Sequence, residues 1–470
     1  MTDPIVTIPS EIQAAFDDQA AGVPDRRRHF GLAKRKDALS KLADVIQKNE
    51  AAIITAMAQD FGKPETETVL TEILPVLQEI KHARRHLRRW MHPSRVGSTL
   101  ATFGTTGRIR PEARGVCLII APWNYPFSLA LGPLVSCLAA GNSAIIKPSE
   151  LTPATSALIA RLISDTFPAD LVTVVEGAVE TSKALLALPF DHIFFTGSPA
   201  VGKIIMSAAA KTLASVTLEL GGKSPTIIGP EANLKSAADW VVFGKFSNAG
   251  QTCIAPDHLF VHAAIKEEFT SLLRARVAKA YGRNSRPADL AQIVNTHHAD
   301  RLGGLLADAI ENGARVIHGG NRKETRFEPT LIEAITPEMR IDHEEIFGPI
   351  LPIITYEDLG EVITQINARP KPLSLYIFDK NRNRINRIVR ETSSGSVGIN
   401  LLLIQFIHNG LPFGGVNNSG LGNAHGQYGF RAFSHERAIM TNHFSVLPLV
   451  FAPYTTGVKR IITIAKRVLG

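Results

Sequence analysis

A chain of 470 residues, 45% hydrophobic and 20% charged, is too long for one ordinary domain and has the composition of a globular protein, not a disordered or fibrous one. It contains no run of about 18 apolar residues, the length a spanning helix needs. From Met1 to Phe16 it carries acids without a basic segment followed by an apolar one, so no secretory leader is expected. A formal charge of +8 raises the question of a nucleic-acid partner, which the arrangement of the charges answers below.

Apolar residues Leu39, Leu42, Val45, Ile46, Ile53 and Ile54 recur at helical spacing between Asp25 and about Asp60, where Phe61-Gly62-Lys63-Pro64 ends the pattern. A second helix is predicted from Glu65 to Trp90, kinked near Pro75. Its end holds the densest basic run, Lys81, Arg84, Arg85, Arg88 and Arg89, opposite Ile80, Ala83, Leu87, Trp90 and Met91. This reads either as a solvated face or as a field that draws in an anionic cofactor or acidic partner. No aromatics interleave with the bases, so no nucleic acid is expected. Pro93 to Pro111 has no helical period and reads as an extended ribbon crossing to another part of the molecule.

A repeating unit follows. Strands are predicted at 115–121, 143–147, 171–175 and 192–195, and helices at 127–141, 152–167, 180–188 and 199–213. That alternation is the mark of a parallel sheet with helices on its faces. Such sheets bind ligands beyond the carboxyl ends of their strands, which directs attention to three loops. Asn124 stands in Ala121-Pro122-Trp123-Asn124-Tyr125-Pro126, braced by two prolines; its amide can donate into a cleft or merely satisfy its own turn. Lys147-Pro148-Ser149-Glu150 follows the second strand. Thr196-Gly197-Ser198, with Val201 and Gly202, opens a helix after the fourth, where glycine lets backbone approach a phosphate. This is not a GxGxxG fingerprint, and the glycine run from Gly420 to Gly426 reads as a turn-rich loop.

Glu219 lies between Leu218 and Leu220, before Gly221-Gly222, at the hinge to a second α/β region. A carboxylate flanked by apolar residues tends toward a raised pKa, suited to a general base, unless it pairs with Lys223. The second region has strands at 226–229 and 259–262, helices at 233–244 and 266–281, a helix at 300–313, strands near Val316 and at 350–355, and a helix at 358–367. Of three cysteines, Cys117 and Cys137 lie in apolar runs and read as core residues. This usage fits a reducing compartment, so a cytoplasmic location is expected. Cys253 closes Phe246-Ser247-Asn248-Ala249-Gly250-Gln251-Thr252 on a small-residue bend, where backbone N–H groups can face its sulfur. An inert buried thiol is the alternative. His297-His298 has no evident third ligand, and no metal site is expected. The last fifty residues read as turns, then an apolar stretch at 445–452, then a helix. In that helix Val458, Ile461, Ile462, Ala465, Val468 and Leu469 oppose Lys459, Arg460, Lys466 and Arg467. It either docks on the body or a partner subunit, or lies on a membrane surface.

Together these segments resemble the aldehyde dehydrogenase superfamily. Leu218-Glu219-Leu220-Gly221-Gly222-Lys223-Ser224-Pro225 is similar to its glutamate motif, and Phe246 to Cys253, continued by Ile254-Ala255-Pro256-Asp257, to its cysteine motif. Pro122-Trp123-Asn124, Lys147-Pro148-Ser149-Glu150, Phe195-Thr196-Gly197-Ser198, Glu345-Ile346-Phe347-Gly348-Pro349 and Pro412-Phe413-Gly414-Gly415 follow the family's order. Asn248 to Asp257 and Phe433-Ser434-His435 resemble the class 3 branch; Leu87 to Met91 and Asn367-Ala368-Arg369-Pro370 resemble bacterial coniferyl-aldehyde dehydrogenases.

The resemblance implies an α/β fold of two domains with parallel-sheet cores and a small β bridging element. The NAD(P)-binding domain would comprise 1–92 and 112–219, the catalytic domain 220–428, and a bridging ribbon and tail 93–111 and 429–470. It implies oxidation of an aldehyde to its acid with NAD, NADP being possible. Cys253 would be the nucleophile, Asn124 with the Cys253 N–H would hold the oxyanion, and Glu219 would activate water to cleave the thioester. Trp123, Lys147, Ser149, Glu150, Gly197, Ser198, Val201, Gly202, Leu220, Glu345 and Phe347 would bind the cofactor, and the carboxylate of Glu150 would disfavour a 2′-phosphate. A homodimer bridged by the ribbon and tail is implied. Departures lie at Leu401 to His408, greasier than the branch usually shows near the substrate entrance, and at Asn417 in place of glycine. They point to an apolar aliphatic or bulky aldehyde. A relative that passes the acyl group to coenzyme A, or a non-catalytic binding protein on this scaffold, are the alternatives; Glu219 speaks against the first, and Cys253, Glu219 and Asn124 together against the second.

Overall fold

A computed structural model of the chain describes residues 9–282 and 289–469. The first eight residues of the segment read for a leader, and the side chains of Val468 and Leu469 on the tail's apolar face, lie outside what is described.

The first sheet is built from the predicted runs. Val116–Ile120, Ser143–Lys147 and His192–Thr196 are buried at every residue, as strands covered on both faces must be. The order across the sheet is Gly420–Leu421, Ser215–Glu219, His192–Thr196, Val116–Ile120, Ser143–Lys147, Val172–Val174. All neighbours run parallel except the first pair. Register places Ile120 beside both Lys147 and Phe195, and Thr196 beside Glu219. The loops carrying Asn124, Lys147, Gly197 and the Gly221-Gly222 pair therefore leave the sheet along one edge. Glu219, read from sequence as a hinge residue, is the last residue of a strand that periodicity did not reveal.

Helix Ser128–Ala140 is buried nearly throughout and joins Leu32–Lys48 and Leu74–Met91 in the main apolar cluster. The helix predicted over Glu65–Trp90 is broken where expected: a turn at Glu65–Thr68, a π-helical turn at Val69–Ile73, then Leu74–Met91. Pro75 lacks the N–H that would continue the α-helical ladder, so the wide turn precedes it. The covered face carries Glu72 and Glu79 among Ile73, Val76, Ile80, Ala83, Leu87 and Trp90. The five basic residues of the run face solvent.

The second sheet has seven strands in the order Arg315–His318, Thr330–Glu333, Ile350–Tyr356, His258–His262, Pro225–Ile228, Ser374–Phe378, Ser396–Ile399. Pro225 pairs with His258, so the chain leaving Glu219 and the chain leaving Cys253 enter this sheet side by side. The carboxyl edge of the first sheet thus meets the amino edge of the second, and the candidate residues lie along that seam. Strands Thr330–Glu333, Ser374–Phe378 and Ser396–Ile399 and helix Arg382–Glu391 add to the elements foreseen.

The ribbon forms a third sheet. Ser94–Val96 and Thr105–Ala113 pair antiparallel, and Thr105–Ala113 pairs along its whole length with Ser434–Asn442. That last strand falls where sequence showed only turns; after Ser434 every residue is exposed, so no apolar alternation marks it. The tail is helical at Thr456–Leu469 as expected, with Ile461 and Ile462 exposed. Among the described residues no helix is long and apolar enough to cross a membrane.

Candidate active site

Glu219, Cys253 and Thr196 line one cavity of about 50 Å³, walled by Leu129, Pro133, Phe194, Phe406 and Phe413. Residues 253, 219 and 196, far apart in sequence, meet because the two sheets abut at that seam.

The loop bearing Cys253 turns through consecutive left-handed residues, Asn248 (φ 53°), Ala249 (φ 53°) and Gly250 (φ 74°). Only glycine adopts this region without cost, and a Cβ on Gly250 would strike the Gly348 carbonyl at 2.3 Å. Side chains hold the bend: Asn248 Nδ2 donates to the carbonyls of Asn124 and Gln251, at 2.9 and 3.1 Å. Asn124 Nδ2 donates to the Gln251 carbonyl at 3.0 Å. Asn124 therefore does not satisfy its own turn; it reaches the cysteine loop, with its second N–H left for another acceptor. Of the three cysteines Cys253 alone is not fully covered, while Cys117 and Cys137 are core residues as read. Burial among protein groups pushes the Cys253 thiol up to about 12, the carboxylates of Glu345 and Glu219 add to this, and the N–H groups of Cys253 and Ile254 oppose it. A thiol so placed becomes nucleophilic only when a base or a cation comes to it.

Glu219 is 4% exposed, and neither carboxylate oxygen has a hydrogen-bond partner. The alternative that it pairs with Lys223 is resolved by geometry. Lys223 instead gives its ammonium to Asp257 and to the carbonyls of Ile341 and Glu344. Without a counter-charge, desolvation pushes the Glu219 carboxyl well above the ordinary range. Asp257 also accepts from the Ile346 N–H at 2.9 Å. One buried ion pair thus ties the glutamate motif, the cysteine motif and the Glu345–Phe347 segment together.

Beneath the cysteine loop lies a polar network that sequence reading missed. Lys63 and Glu72 form an ion pair of 2.5 Å with both side chains fully covered. The Lys63 ammonium lies 3.9 Å from the centre of the Tyr125 ring, and the Tyr125 hydroxyl lies 2.6 Å from Thr252 Oγ1. Glu67 accepts from the Asn248 N–H at 2.8 Å, and burial pushes its carboxyl up to about 7. A signal was present: Glu72 falls on the stripe of Val76, Ile80, Ala83 and Leu87, a charge on an apolar face.

Along the carboxyl edge of the first sheet, the groups expected to hold a dinucleotide lie in sequence of strands. Lys147 Nζ pairs with Glu150 at 2.8 Å, and Glu150 remains one-third exposed. Ser149 Oγ accepts from the Leu151 N–H. Ser198 caps the helix Pro199–Thr212 by accepting from the Val201 N–H. A Cβ on Gly202 would meet Leu220 at 2.8 Å, so the backbone here presents a surface without side-chain obstruction. Thr196 Oγ1, buried beside it, has no partner. Glu345 accepts from the Gly222 N–H at 2.9 Å, and burial pushes its carboxyl up to about 7. Phe347, at φ 49°, stands edge-on to Trp123 with ring centres 5.4 Å apart. A helix start where Gly197 and Gly202 leave backbone uncovered by side chains, a part-exposed acid for hydroxyls and a flat aromatic corner fit an adenine dinucleotide. Lys147, Ser149 and Glu150 form their own cluster one strand over.

His298 packs on Trp123 at 4.9 Å and is half-buried, while His297 is exposed. Among the described residues no group of three His, Cys, Asp or Glu could hold a metal. In the greasy run, Leu402 is buried, Leu403 and Phe406 pack on the same apolar cluster of Ile254, Leu373 and Phe413 as Cys253 does, and Ile404 and Ile407 are exposed. Asn417 takes φ 57°, the conformation that explains why glycine is usual there.

Residues 7–439 match the sequence profile described as "Aldehyde dehydrogenase family". The chain is 46% identical over 410 residues to the 4,4'-diaponeurosporen-aldehyde dehydrogenase of Staphylococcus aureus, covering 87% of this chain and 89% of that one. It is 40% identical over 461 residues to the probable coniferyl aldehyde dehydrogenase of Pseudomonas aeruginosa, covering 96% of each. A solved structure described as the substrate-bound state of Staphylococcus aureus AldH superposes with a TM-score of 0.92 at 42% identity, covering 96% of this chain and 99% of that one.

Proposed function

The chain belongs to the aldehyde dehydrogenase family and oxidises aldehydes with NAD or NADP; on that premise we propose that Cys253 is the nucleophile, Asn124 the oxyanion donor and Glu219 the base for hydrolysis. The supporting observation is the shared cavity: the sulfur and an unpartnered carboxylate face the same small apolar space.

Attack by Cys253 Sγ on the carbonyl carbon places negative charge on the aldehyde oxygen, where the free N–H of Asn124 and the Cys253 N–H stabilise it. A nicotinamide held by Glu345 and Phe347 would supply an acceptor for hydrogen with its electron pair and a positive charge that opposes the effects raising the thiol. Glu219 then takes a proton from water as that water adds to the thioester and Sγ departs. The apolar walls weaken the competition of bulk water for each charge.

Trp123, Lys147, Ser149, Glu150, Gly197, Ser198, Val201, Gly202, Leu220, Glu345 and Phe347 are the proposed dinucleotide contacts. Lys147 already pairs with Glu150, whose carboxylate would repel a 2′-phosphate, which supports a preference for NAD. Phe194, Phe406 and Phe413 around the cavity support an apolar aliphatic or aromatic aldehyde. Coenzyme A acylation is disfavoured because that chemistry has no use for Glu219. The proposed domains divide at 219 and 220, with 93–111 and 429–470 as the bridging element. A homodimer is supported by the exposed outer edge of strand Ser94–Val96 and by the apolar side chains the tail exposes. A cytoplasmic location rests on the free thiols, and the tail helix on a membrane surface is the rival to the dimer; flotation with liposomes of full-length and tail-truncated protein separates the two.

An aldehyde panel with NAD tests the assignment. A burst of NADH abolished by Cys253→Ala is expected; normal turnover by that variant would remove Cys253 from the mechanism.

A further inference from the structure

Glu219 has no hydrogen-bond partner, so the proton it takes from water has no exit through the protein's own bonds. The same cavity is lined by a second carboxylate, Glu79, and by His425. Glu79 is 3% exposed and Thr196 is 8% exposed. Glu79 Oε2 and Thr196 Oγ1, like both oxygens of Glu219, are buried without a partner. Buried polar atoms are almost always satisfied, by protein or by ordered water. Four such atoms on one cavity, with the hydroxyl-bearing Ser128 and Ser136 also in its wall, mark a place for water, which needs ~10–15 Å³ per molecule.

Glu79 is anchored and aimed. Its Oε1 accepts from the Gly426 N–H at 2.7 Å, which leaves Oε2 free on the cavity side. His425 Nδ1 stands 3.8 Å from Oε2, and the His425 side chain is 17% exposed, so this pair reaches from the interior to solvent. The ring is held edge-on by Phe406 and Phe413, with centres 4.7 and 5.5 Å away. The other titratable groups facing Glu79 are His82 one turn along its own helix, with Arg85 and His408 beside that histidine, and Glu219 and Cys253 across the cavity.

We propose that ordered water in this cavity joins Glu219 to Glu79, and that Glu79 with His425 carries to solvent the proton Glu219 takes during hydrolysis. The inference rests on the Cys253 and Glu219 assignments above. In the step concerned, a water O–H bond breaks with its proton going to Glu219, the oxygen bonds to the acyl carbon, the C–S bond breaks, and Sγ leaves as thiolate. The product departs as the acid, and the proton on Glu219 passes through water to Glu79 Oε2, then by way of His425 to solvent. Glu79 acts through Glu219 and is a positioning residue for the proton, not a group that touches substrate.

Acylation by 4-nitrophenyl acetate with NAD present isolates this step, since it forms the Cys253 thioester without transfer of hydride and releases nitrophenolate. Acyl-enzyme is followed by intact mass in Glu79→Gln, which keeps an acceptor for the Gly426 N–H and removes the ionisable oxygen. The first-turnover burst of nitrophenolate is expected at the wild-type rate, with acyl-enzyme decay in the steady state, where Glu219 must shed its proton between turnovers, slowed at least about tenfold, short of the ~100-fold or more that loss of the base itself carries. Raising the concentration of imidazole buffer should restore the decay in the variant and leave wild type unchanged, because a small diffusible base replaces a broken proton path but not a distorted fold. His425→Gln, should Glu79→Gln fail to fold, is expected to behave alike. Decay at the wild-type rate, or slowed decay that imidazole does not restore, overturns the proposal. Failure of the wild-type protein to acylate at Cys253 would instead strike the nucleophile assignment beneath it.

Discussion

The hydroxyl of Tyr125 lies 2.6 Å from that of Thr252, which couples the neighbour of Asn124 to the neighbour of Cys253. The distance between the proposed oxyanion donor and nucleophile is therefore held in part by a bond between two residues that do neither job, beside the direct bonds joining Asn124 to the cysteine loop. Tyr125→Phe is expected to cost ~0.5–1.5 kcal/mol of stability and up to ~100-fold in kcat with KM little changed, the usual penalty of a displaced reacting group. Steady-state kinetics beside thermal melts would show both; a change in KM alone would contradict it.

The Lys63–Glu72 pair beneath that bond is fully covered on both sides. Lys63→Met strands a buried carboxylate and is expected to cost ~3–5 kcal/mol. Adding Glu72→Gln, which keeps an acceptor for the Ser128 N–H that Glu72 Oε2 now satisfies, should recover most of the loss. Urea midpoints of the two variants decide; equal loss in both would mean that the cation over the Tyr125 ring, not its pairing, is what matters.

The pH dependence of hydrolysis follows from Glu219. Its carboxyl is raised well above the usual range by burial, and a base works only when ionised. The decay of acyl-enzyme should therefore rise with pH across a step displaced to higher pH than an ordinary carboxylate gives. Glu219→Gln should abolish the step and lower kcat ~10²–10⁴-fold while acyl-enzyme accumulates. Rapid quench with mass detection reads both.

Glu67 predicts a pH dependence of stability. Burial raises its carboxyl from 4.5 to about 7. The folded chain therefore binds more protons than the unfolded one between those values, and this group's contribution to stability is lost as pH rises through that window. The loss amounts to roughly 3 kcal/mol at about 1.4 kcal/mol per unit. Glu67→Gln, which retains an acceptor for the Asn248 N–H, should raise the melting temperature at pH 8 and leave it nearly unchanged at pH 4. A uniform effect at both pH values would place the cause elsewhere.

The parallel sheets were legible because strands covered on both faces carry unbroken apolar runs, as Val116–Ile120 and the Ile193–Phe195 centre of His192–Thr196 do. Strand Ser215–Glu219 escaped notice because it begins half-exposed with Ser215 and Val216. Strand Ser434–Asn442 escaped because it is exposed along nearly its whole length. At the site, Cys253, Glu219 and Asn124 could be named from local context joined to family resemblance. Lys63, just past the end of helix Glu50–Phe61, and Glu67 and Glu79 on helices could not, since charged residues ordinarily face water and what places these inside is tertiary contact, while Glu72 betrayed itself only by falling on an apolar stripe.

The left-handed bend through Asn248, Ala249 and Gly250 has a consequence for biogenesis. Each non-glycine residue there costs about 1–2 kcal/mol, and the bonds that hold it come from Glu67, Asn124 and the Gln292 carbonyl, which lie both upstream and downstream of the bend. A nascent chain that has emerged only as far as the thiol cannot complete this set. The poised sulfur is thus a property of the finished polypeptide, and covalent capture by a mechanism-based aldehyde analogue would report maturation where helix content could not.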